Sequence, residues 1–460
     1  MLEAVNNVLS AFPGYVWGTP LVVLLVGGGL FFVFYLRFLP YRHFRHALEI
    51  LRGDYDDPNE PGDIPHYQAL SSALSGTLGL GNIAGVAVAI HAGGPGAVLW
   101  MWITALVGVA TKYVTCSLGI MYRGYDSNGD LQGGPMYVIR EGLGRRWQPL
   151  AVFFCVAALF GTLPSFQINQ LTQIVREVVA VPNGWASAQH HFTFDLIFGL
   201  VMAAFIAYVI FGGIRRVGIT AGRLVPLMVV LYLVSTLFIL VVNAGRIPHA
   251  LDMIVADAFS GRAVAGGVLG VMAIGVRQGA FSNEAGIGTA VMAHGAAQTR
   301  EPIREGLVAM LGPVIDTVIV CSCTALAILV TGAWRTSDNG VALTNSAFQQ
   351  SMGPFGGWLL TVIVVFFSLS TMFTFWYYGA KCLGYLIGAH RQGWYRWFYL
   401  ALVVGGSVVS VEAVVGLITG FYGLMAVPNM IATLRLSPRV AAASRDYFTR
   451  LGRERADAAG

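Results

Sequence analysis

Apolar residues along this chain come in long runs, divided by short polar stretches that carry most of its arginines. About eleven runs reach the roughly 20 residues that a helix needs to cross a bilayer. They fall near 16–39, 67–92, 96–122, 149–180, 193–212, 220–243, 266–294, 304–332, 356–388, 396–416 and 417–435. The pattern predicts an all-α polytopic membrane protein. Two runs are interrupted by glycines. In the second, SALSGTLGLGN from Ser72 to Asn82 is followed by the apolar IAGVAVAIHAGG, so the cluster lies inside one crossing. In the seventh, GVRQGAFSNEAGIGTAVMA runs from Gly275 to Ala293 and carries Arg277, Asn283 and Glu284. Unwound backbone at membrane depth is tolerated only where protein buries it or water reaches it. Paired breaks at matching places in two halves are the mark of secondary transporters, where half-helix ends and freed carbonyls hold substrate and coupling ion.

With the first run set aside, ten remain and divide five and five. An odd number of crossings per half turns the second half over relative to the first, and each half then begins with its broken helix. The expected organisation is an extra helix and cytoplasmic linker over 1–53, a core over 54–436 and a basic tail over 437–460. The core comprises repeats near 66–244 and 265–436. The tail reads as a short cytoplasmic helix or a loose end. Segments 125–147, 247–260 and 339–352 read as surface helices that pack or act as lids.

Composition narrows the class. The 460 residues are 56% hydrophobic and 11% charged, against about a quarter charged in soluble proteins. The net charge of +5 is a topology signal rather than a nucleic-acid footprint, because nearly all the basic residues fall in alternate loops and the tail. By the positive-inside rule the N-terminus lies outside and the C-terminus in the cytoplasm. No Lys or Arg precedes the first run, so it reads as a retained helix and not as a secretory signal. Cys116, Cys155, Cys321, Cys323 and Cys382 lie in or beside apolar runs with no pairing pattern, and read as small core residues.

Charge at membrane depth defaults to a functional hypothesis. Arg277 and Glu284 stand seven apart, so an intact helix would put them on one face as a structural ion pair. Equally, Glu284 beside Asn283 and Gly286 could brace the unwound segment, or carry a proton. Gln167, Gln170 and Gln173 share a helical stripe next to Pro164 in run four, a pocket wall or packing glue. Ser368, Ser370, Thr371 and Thr374 in run nine offer hydroxyls suited to a monovalent cation or a zwitterion. Glu284 reads as the only deep carboxylate, and six of the nine histidines (43, 46, 66, 190, 191 and 390) fall in loops or at span ends. The clustered titratable groups that catalysis needs are not evident, and no filter-like motif suggests a passive pore.

The stretch from Ser72 through Tyr113, with GAFSNEAGIGTA from Gly279 to Ala290, resembles the alanine or glycine:cation symporter family, whose fold is similar to the leucine-transporter type of five-plus-five inverted repeat. The resemblance covers the chain from about Asp54 to the last span. It implies uptake of alanine, glycine or a similar small neutral amino acid, coupled to sodium or sometimes protons, in a bacterial inner membrane, with no organic cofactor. It implies a substrate between the two breaks, at Thr77, Gly79, Gly81, Asn82, Val276, Gly279 and Phe281, with Gln167, Thr371 and Phe375 lining the pocket. The cation is implied to sit between carbonyls of the first break and the hydroxyls of Ser370 and Thr371. Phe375, Ala380 and Val276 depart from the residues usual in the family, which bears on pocket shape and substrate choice.

Overall fold

The computed structural model describes residues 12, 14–187, 189–260, 267–336, 338–409 and 411–457. Helices α1 (Thr19–Tyr35) and α2 (Phe44–Leu51) precede the core. The first broken span is α3 (His66–Thr77) and α4 (Gly81–Gly93), bent by 53°. Then come α5 (Ala97–Met121), a two-stranded hairpin of β1 (Gly124–Tyr125) and β2 (Leu131–Gln132), and α6 (Gln148–Gly161) with α7 (Ser165–Val175). Next are α8 (Phe192–Ile210), α9 (Gly213–Val242) and the short α10 (Ile247–Phe259). The second broken span is α11 (Gly267–Asn283) and α12 (Thr289–His294). It is followed by α13 (Pro302–Thr331), the short α14 (Val341–Met352), α15 (Pro354–Ile387), α16 (Tyr395–Val408) and α17 (Val411–Asp457).

Among the described residues, six helices are long and apolar enough to cross a membrane on their own, and the bent α3–α4 pair makes a seventh. The other runs read from the sequence fall on helices that are broken, shorter, or in the case of α17 continuous with the tail. The tail is thus neither a separate short helix nor a loose end. It extends the last apolar helix along the cytoplasmic side assigned by sequence, where Tyr113 and Ser444 hydroxyls meet at 2.7 Å and Arg450 pairs with Glu301 at 2.7 Å.

Proline and glycine set most of the boundaries. Pro302 and Pro354 open α13 and α15 in the first turn, where the missing N–H costs nothing. Pro164 separates α6 from α7. The breaks differ in kind. Between α3 and α4 the chain makes a tight turn, with the Gly79 N–H donating to the Thr77 carbonyl at 2.9 Å. Between α11 and α12 it passes through left-handed backbone at Glu284 (φ 53°), Gly286 (φ 89°) and Gly288 (φ 105°). Such φ values favour glycine, and at Gly286 and Gly288 a Cβ would also come within 2.7 Å of Leu25 and Pro135.

The helices form two groups. The helix α5 packs along α11 and α13, and α12 lies on α3; α8 pairs with α16, and α9 with α15. The two breaks belong to the first group, and α15 and α7 of the second group face them. Buried apolar side chains fill both groups and the seam between them, while α8 and α9 present Leu200, Val201, Tyr208, Val230 and Val234 outward, as lipid-facing surfaces require.

Candidate functional site

At the first break, the backbone is held by side chains rather than by helix. The Asn82 amide oxygen accepts from the Gly79 N–H at 3.2 Å, and the Gln167 amide oxygen on α7 accepts from the Leu80 N–H at 3.3 Å. Gly79 lies so close to α15 that a Cβ would come 2.5 Å from Thr371 Oγ1 and 3.4 Å from Gln167 Nε2. Thr77, Gly79, Gly81, Asn82, Gln167 and Thr371 are therefore brought together, all buried. Replacing Gly79 with alanine is expected to lower uptake at least tenfold, because overpacking of this kind costs about 1–3 kcal/mol and here displaces Thr371 or the break itself. Uptake by the Gly79→Ala variant at the wild-type rate would show that the contact does not matter.

An aromatic wall closes around the breaks. Phe281 on α11 meets Phe166 at 5.7 Å and Tyr422 at 5.4 Å between ring centroids, and Phe375 lies 6.2 Å from Tyr422. The Gly81 backbone sits against the Phe281 ring. Phe281 thus lies beside the first break, and Phe375 joins it through Tyr422. Val276 is buried one turn from Ala280 on α11, and Gly279 packs closely on Met101 and Thr104 of α5, where a Cβ would come within 3.0–3.3 Å of their atoms. Ser370 turns its hydroxyl to the Phe367 carbonyl at 3.0 Å and Met228 sulfur at 3.5 Å. Its own carbonyl accepts from Ser75 on α3 at 2.8 Å. On α15, Thr371 is the hydroxyl beside the first break, and Thr374 donates to Ser75 at 2.9 Å.

Glu284 braces the second break. Its carboxylate accepts from Thr289 Oγ1 across the break and from Tyr422 Oη at 2.9 Å. Asn283 closes the same turn, its amide oxygen accepting from the Ala285 N–H at 2.9 Å. The Arg277–Glu284 pairing allowed by spacing is not formed, because the helix ends at Asn283 and the left-handed turn at Glu284 carries the carboxylate toward Tyr422. Arg277 has no ion pair among the described residues.

Glu284 is not the only deep carboxylate: Asp316 on α13 is fully buried, and Glu305 and Asp195 are buried as well. Asp316 joins the two breaks. Its Oδ1 accepts from Asn82 Nδ2 at 2.5 Å, and its Oδ2 accepts from Ser282 at 2.8 Å and Thr317 at 2.7 Å. Thr324 completes the connection by donating to the Asn82 carbonyl at 2.8 Å. Lys112 is also buried at this depth, within α5, with its ammonium over Gly312. Neither Glu284 nor Asp316 has an ion pair among the described residues, although both are buried. Charge in a low-dielectric interior must be matched, so a carboxylate ionised here needs a bound monovalent cation, and without one it holds a proton. Asp316 was legible by the rule that flags Glu284, a lone charge in the apolar VIDTVIVC. Phe166 and Tyr422 carry no such signal in a chain with 18 tyrosines and 27 phenylalanines.

Below the site is a cavity of about 730 Å³. It opens on the face formed by the hairpin and the loop after α15, passes Asp63, Asp126 and Lys381, and reaches Ser72 and Thr374, one turn from Thr371. By the sequence-assigned topology this face is the cytoplasmic one.

Two broken helices meeting over a cavity, with buried carboxylates and amides at the breaks, define a secondary active transporter. The comparisons specify it further. A family model described as the sodium:alanine symporter family matches residues 2–459. The chain is 39% identical to the sodium/alanine symporter AgcS of Methanococcus maripaludis over 453 residues, covering 97% of each chain. It is 33% identical to the probable sodium/glutamine symporter GlnT of Bacillus subtilis over 451 residues, covering 97% of this chain and 91% of that one. The solved structure of MhsT in complex with L-phenylalanine shares the fold, with a TM-score of 0.56, 15% identity, and coverage of 83% of this chain and 97% of that one. The chain belongs to the sodium:alanine symporter family. It is a cation-coupled amino-acid transporter of the leucine-transporter fold, and not an enzyme.

Proposed function

We propose that this transporter imports a small neutral amino acid, alanine or glycine, together with sodium, by alternating access across a bacterial inner membrane, with its N-terminus outside and its C-terminus in the cytoplasm. The observation that carries the reading is the Asp316 carboxylate, buried without an ion pair among the described residues and bonded to both breaks through Asn82 and Ser282. A cation there touches the two elements that also bound the substrate, so occupancy of one site stabilises the geometry of the other. The substrate carboxylate meets backbone amides at the breaks, where helix N-termini favour anions. The ammonium meets carbonyls and Gln167, and Phe281 and Phe375 bound a small side chain. Thr371, beside Gly79, is a second proposed cation ligand; Ser370 enters through its carbonyl contact with α3. AgcS and GlnT carry different substrates in their names, and one methylene in an apolar pocket changes discrimination by only about 1–3 kcal/mol, so alanine and glutamine are both informative probes.

The test is uptake of radiolabelled alanine, and of glutamine, into proteoliposomes under an inward sodium gradient, an inward proton gradient, or neither. Accumulation of alanine with sodium alone is the expected result. Accumulation with protons alone assigns the unmatched charge to a proton on Glu284 or Asp316. Equilibration without accumulation under every gradient overturns the symport reading, since a pore cannot concentrate its solute.

A further inference from the structure

The mechanism above does not use three buried titratable groups at the inner ends of the broken spans. His66, the first residue of α3, and His294, the last of α12, both direct Nδ1 at the carboxylate of Glu305, in the first turn of α13. All three side chains are 1% exposed or less. Each histidine belongs to a different repeat, and the carboxylate to a third helix.

The surrounding backbone is joined in the same way. Ile64 and Ala297 form a parallel bridge, with Gln298 N–H donating to the Ile64 carbonyl at 2.7 Å and Asp63 N–H to the Ala296 carbonyl at 2.9 Å. Gly62 approaches so closely that a Cβ would lie 2.4 Å from the Ala297 carbonyl oxygen. Arg123, just past α5, donates to the Pro61 carbonyl at 2.9 Å, to the Thr299 carbonyl at 3.2 Å and to the Ala297 carbonyl. The segment entering α3 and the segment leaving α12 are thus bonded to each other and to a common guanidinium.

Contacts from these half-helices to α15 are of a different kind. They include hydrogen bonds of hydroxyls, of the ammonium of Lys381 and of a thiol: Thr374 to Ser75 at 2.9 Å, Ser75 to the Ser370 carbonyl at 2.8 Å, Lys381 and Tyr377 to the Met292 carbonyl at 3.2 and 3.3 Å, and Cys382 Sγ to Met292 Sδ at 3.8 Å. The cavity runs along this side, between α3 and α15. Bonds with a charged partner are about twice as strong as neutral ones, and backbone bridges cannot be exchanged by rotating a side chain. The α15 side is where the two groups of helices part at least cost.

We propose that His66, Glu305 and His294 are a positioning clamp that keeps the inner ends of α3 and α12 together through the transport cycle. The inner mouth opens and closes by movement of this joined pair against α15, and α3 does not swing alone at the Leu78–Leu80 break. The inference rests on the alternating-access reading above.

Two cysteine pairs test it. In the Ile64→Cys/Ala297→Cys variant a disulfide closes within the clamped pair; in Ser75→Cys/Thr374→Cys it joins α3 to α15, across positions whose hydroxyl oxygens are 2.9 Å apart. Sodium-driven uptake is measured after mild oxidation and again after reduction, with the cross-linked fraction read by mass spectrometry. The first cross-link is expected to leave uptake within about twofold of the reduced protein and the second to lower it at least about tenfold, as a lock on the moving seam should. Loss of uptake in oxidised Ile64→Cys/Ala297→Cys, restored by reduction, overturns the proposal. A readout independent of uptake uses spin labels at Asn59 and Arg300, within the joined unit, and at Asn59 and Arg391, across the cavity, in sodium alone and in sodium plus alanine. A single narrow 59–300 distance in both conditions supports the clamp, and Glu305→Ala should broaden it. A 59–300 distance that is broad, or that shifts with alanine, overturns it. If no substrate is accumulated in any gradient, the transport reading fails while the 59–300 distribution still decides the clamp.

Discussion

Sodium-driven uptake is expected to fall at least about a hundredfold when Asp316 becomes asparagine, a loss of roughly 2.8 kcal/mol at about 1.4 kcal/mol per decade. The substitution keeps the shape of the side chain and an acceptor for Ser282 and Thr317, removes the charge, and turns an amide NH2 toward Asn82 Nδ2, which keeps the backbone carbonyl of residue 316 as an acceptor at 3.2 Å. A carboxylate buried without an ion pair is costly, so neutralising it should leave the sodium-free protein at least as stable as the wild type. The wild type should gain stability from sodium by mass action, about 2.7 kcal/mol when the ion is at a hundred times its Kd, and Asp316→Asn should not. The measurement is the melting temperature in detergent with sodium chloride against choline chloride, beside proteoliposome uptake. A variant that still melts higher in sodium and still accumulates substrate would remove Asp316 from the coupling site.

The second large effect is expected at Asn82. This side chain ties the turn to Asp316: its oxygen accepts from the Gly79 N–H, which also donates to the Thr77 carbonyl, and its nitrogen donates to Asp316 Oδ1. Alanine removes both bonds and takes from Asp316 Oδ1 its hydrogen-bond donor. Hydrogen bonds to charged groups are worth about 1.5–3 kcal/mol, so Asn82→Ala should lower the melting temperature measurably while uptake falls below detection in protein that still purifies as a folded species. The exchange Asn82→Asp/Asp316→Asn returns one carboxylate and one amide to the same pair. It should recover part of the sodium-dependent uptake that either single change abolishes. Unchanged uptake in Asn82→Ala would count against the site as a whole, and a dead exchange variant would show that the position of the charge, and not its presence, is what coupling requires.

The different legibility of neighbouring residues has a physical cause. Thr77, Gly79, Gly81 and Asn82 could be placed from sequence because glycine clusters inside an apolar run violate the local rule for a helix, and a violation at membrane depth needs a reason. Glu284 was visible by the same logic, and so was Asp316, whose single charge in an apolar run passes unnoticed only when no glycine break draws attention to it. Gly279 looked like part of the break and proved to be a packing contact with α5, since a glycine that unwinds a helix and one that lets two helices touch are identical in sequence. The Arg277–Glu284 pair failed because seven-residue spacing implies a shared face only while the helix continues.

The sequence by itself determined the class of this protein, its helical character, the two breaks and the family, because the bilayer enforces hydrogen bonding and hydrophobicity along the chain and so writes them as local pattern. Only the tertiary structure decided that Asp316 bonds to both breaks, that Tyr422 holds Glu284, that Phe166 and Phe281 wall the site, and that His66 and His294 share Glu305. Each of those contacts joins residues from tens to hundreds of positions apart, through side chains of common types, and no periodicity along the chain records which of them will meet.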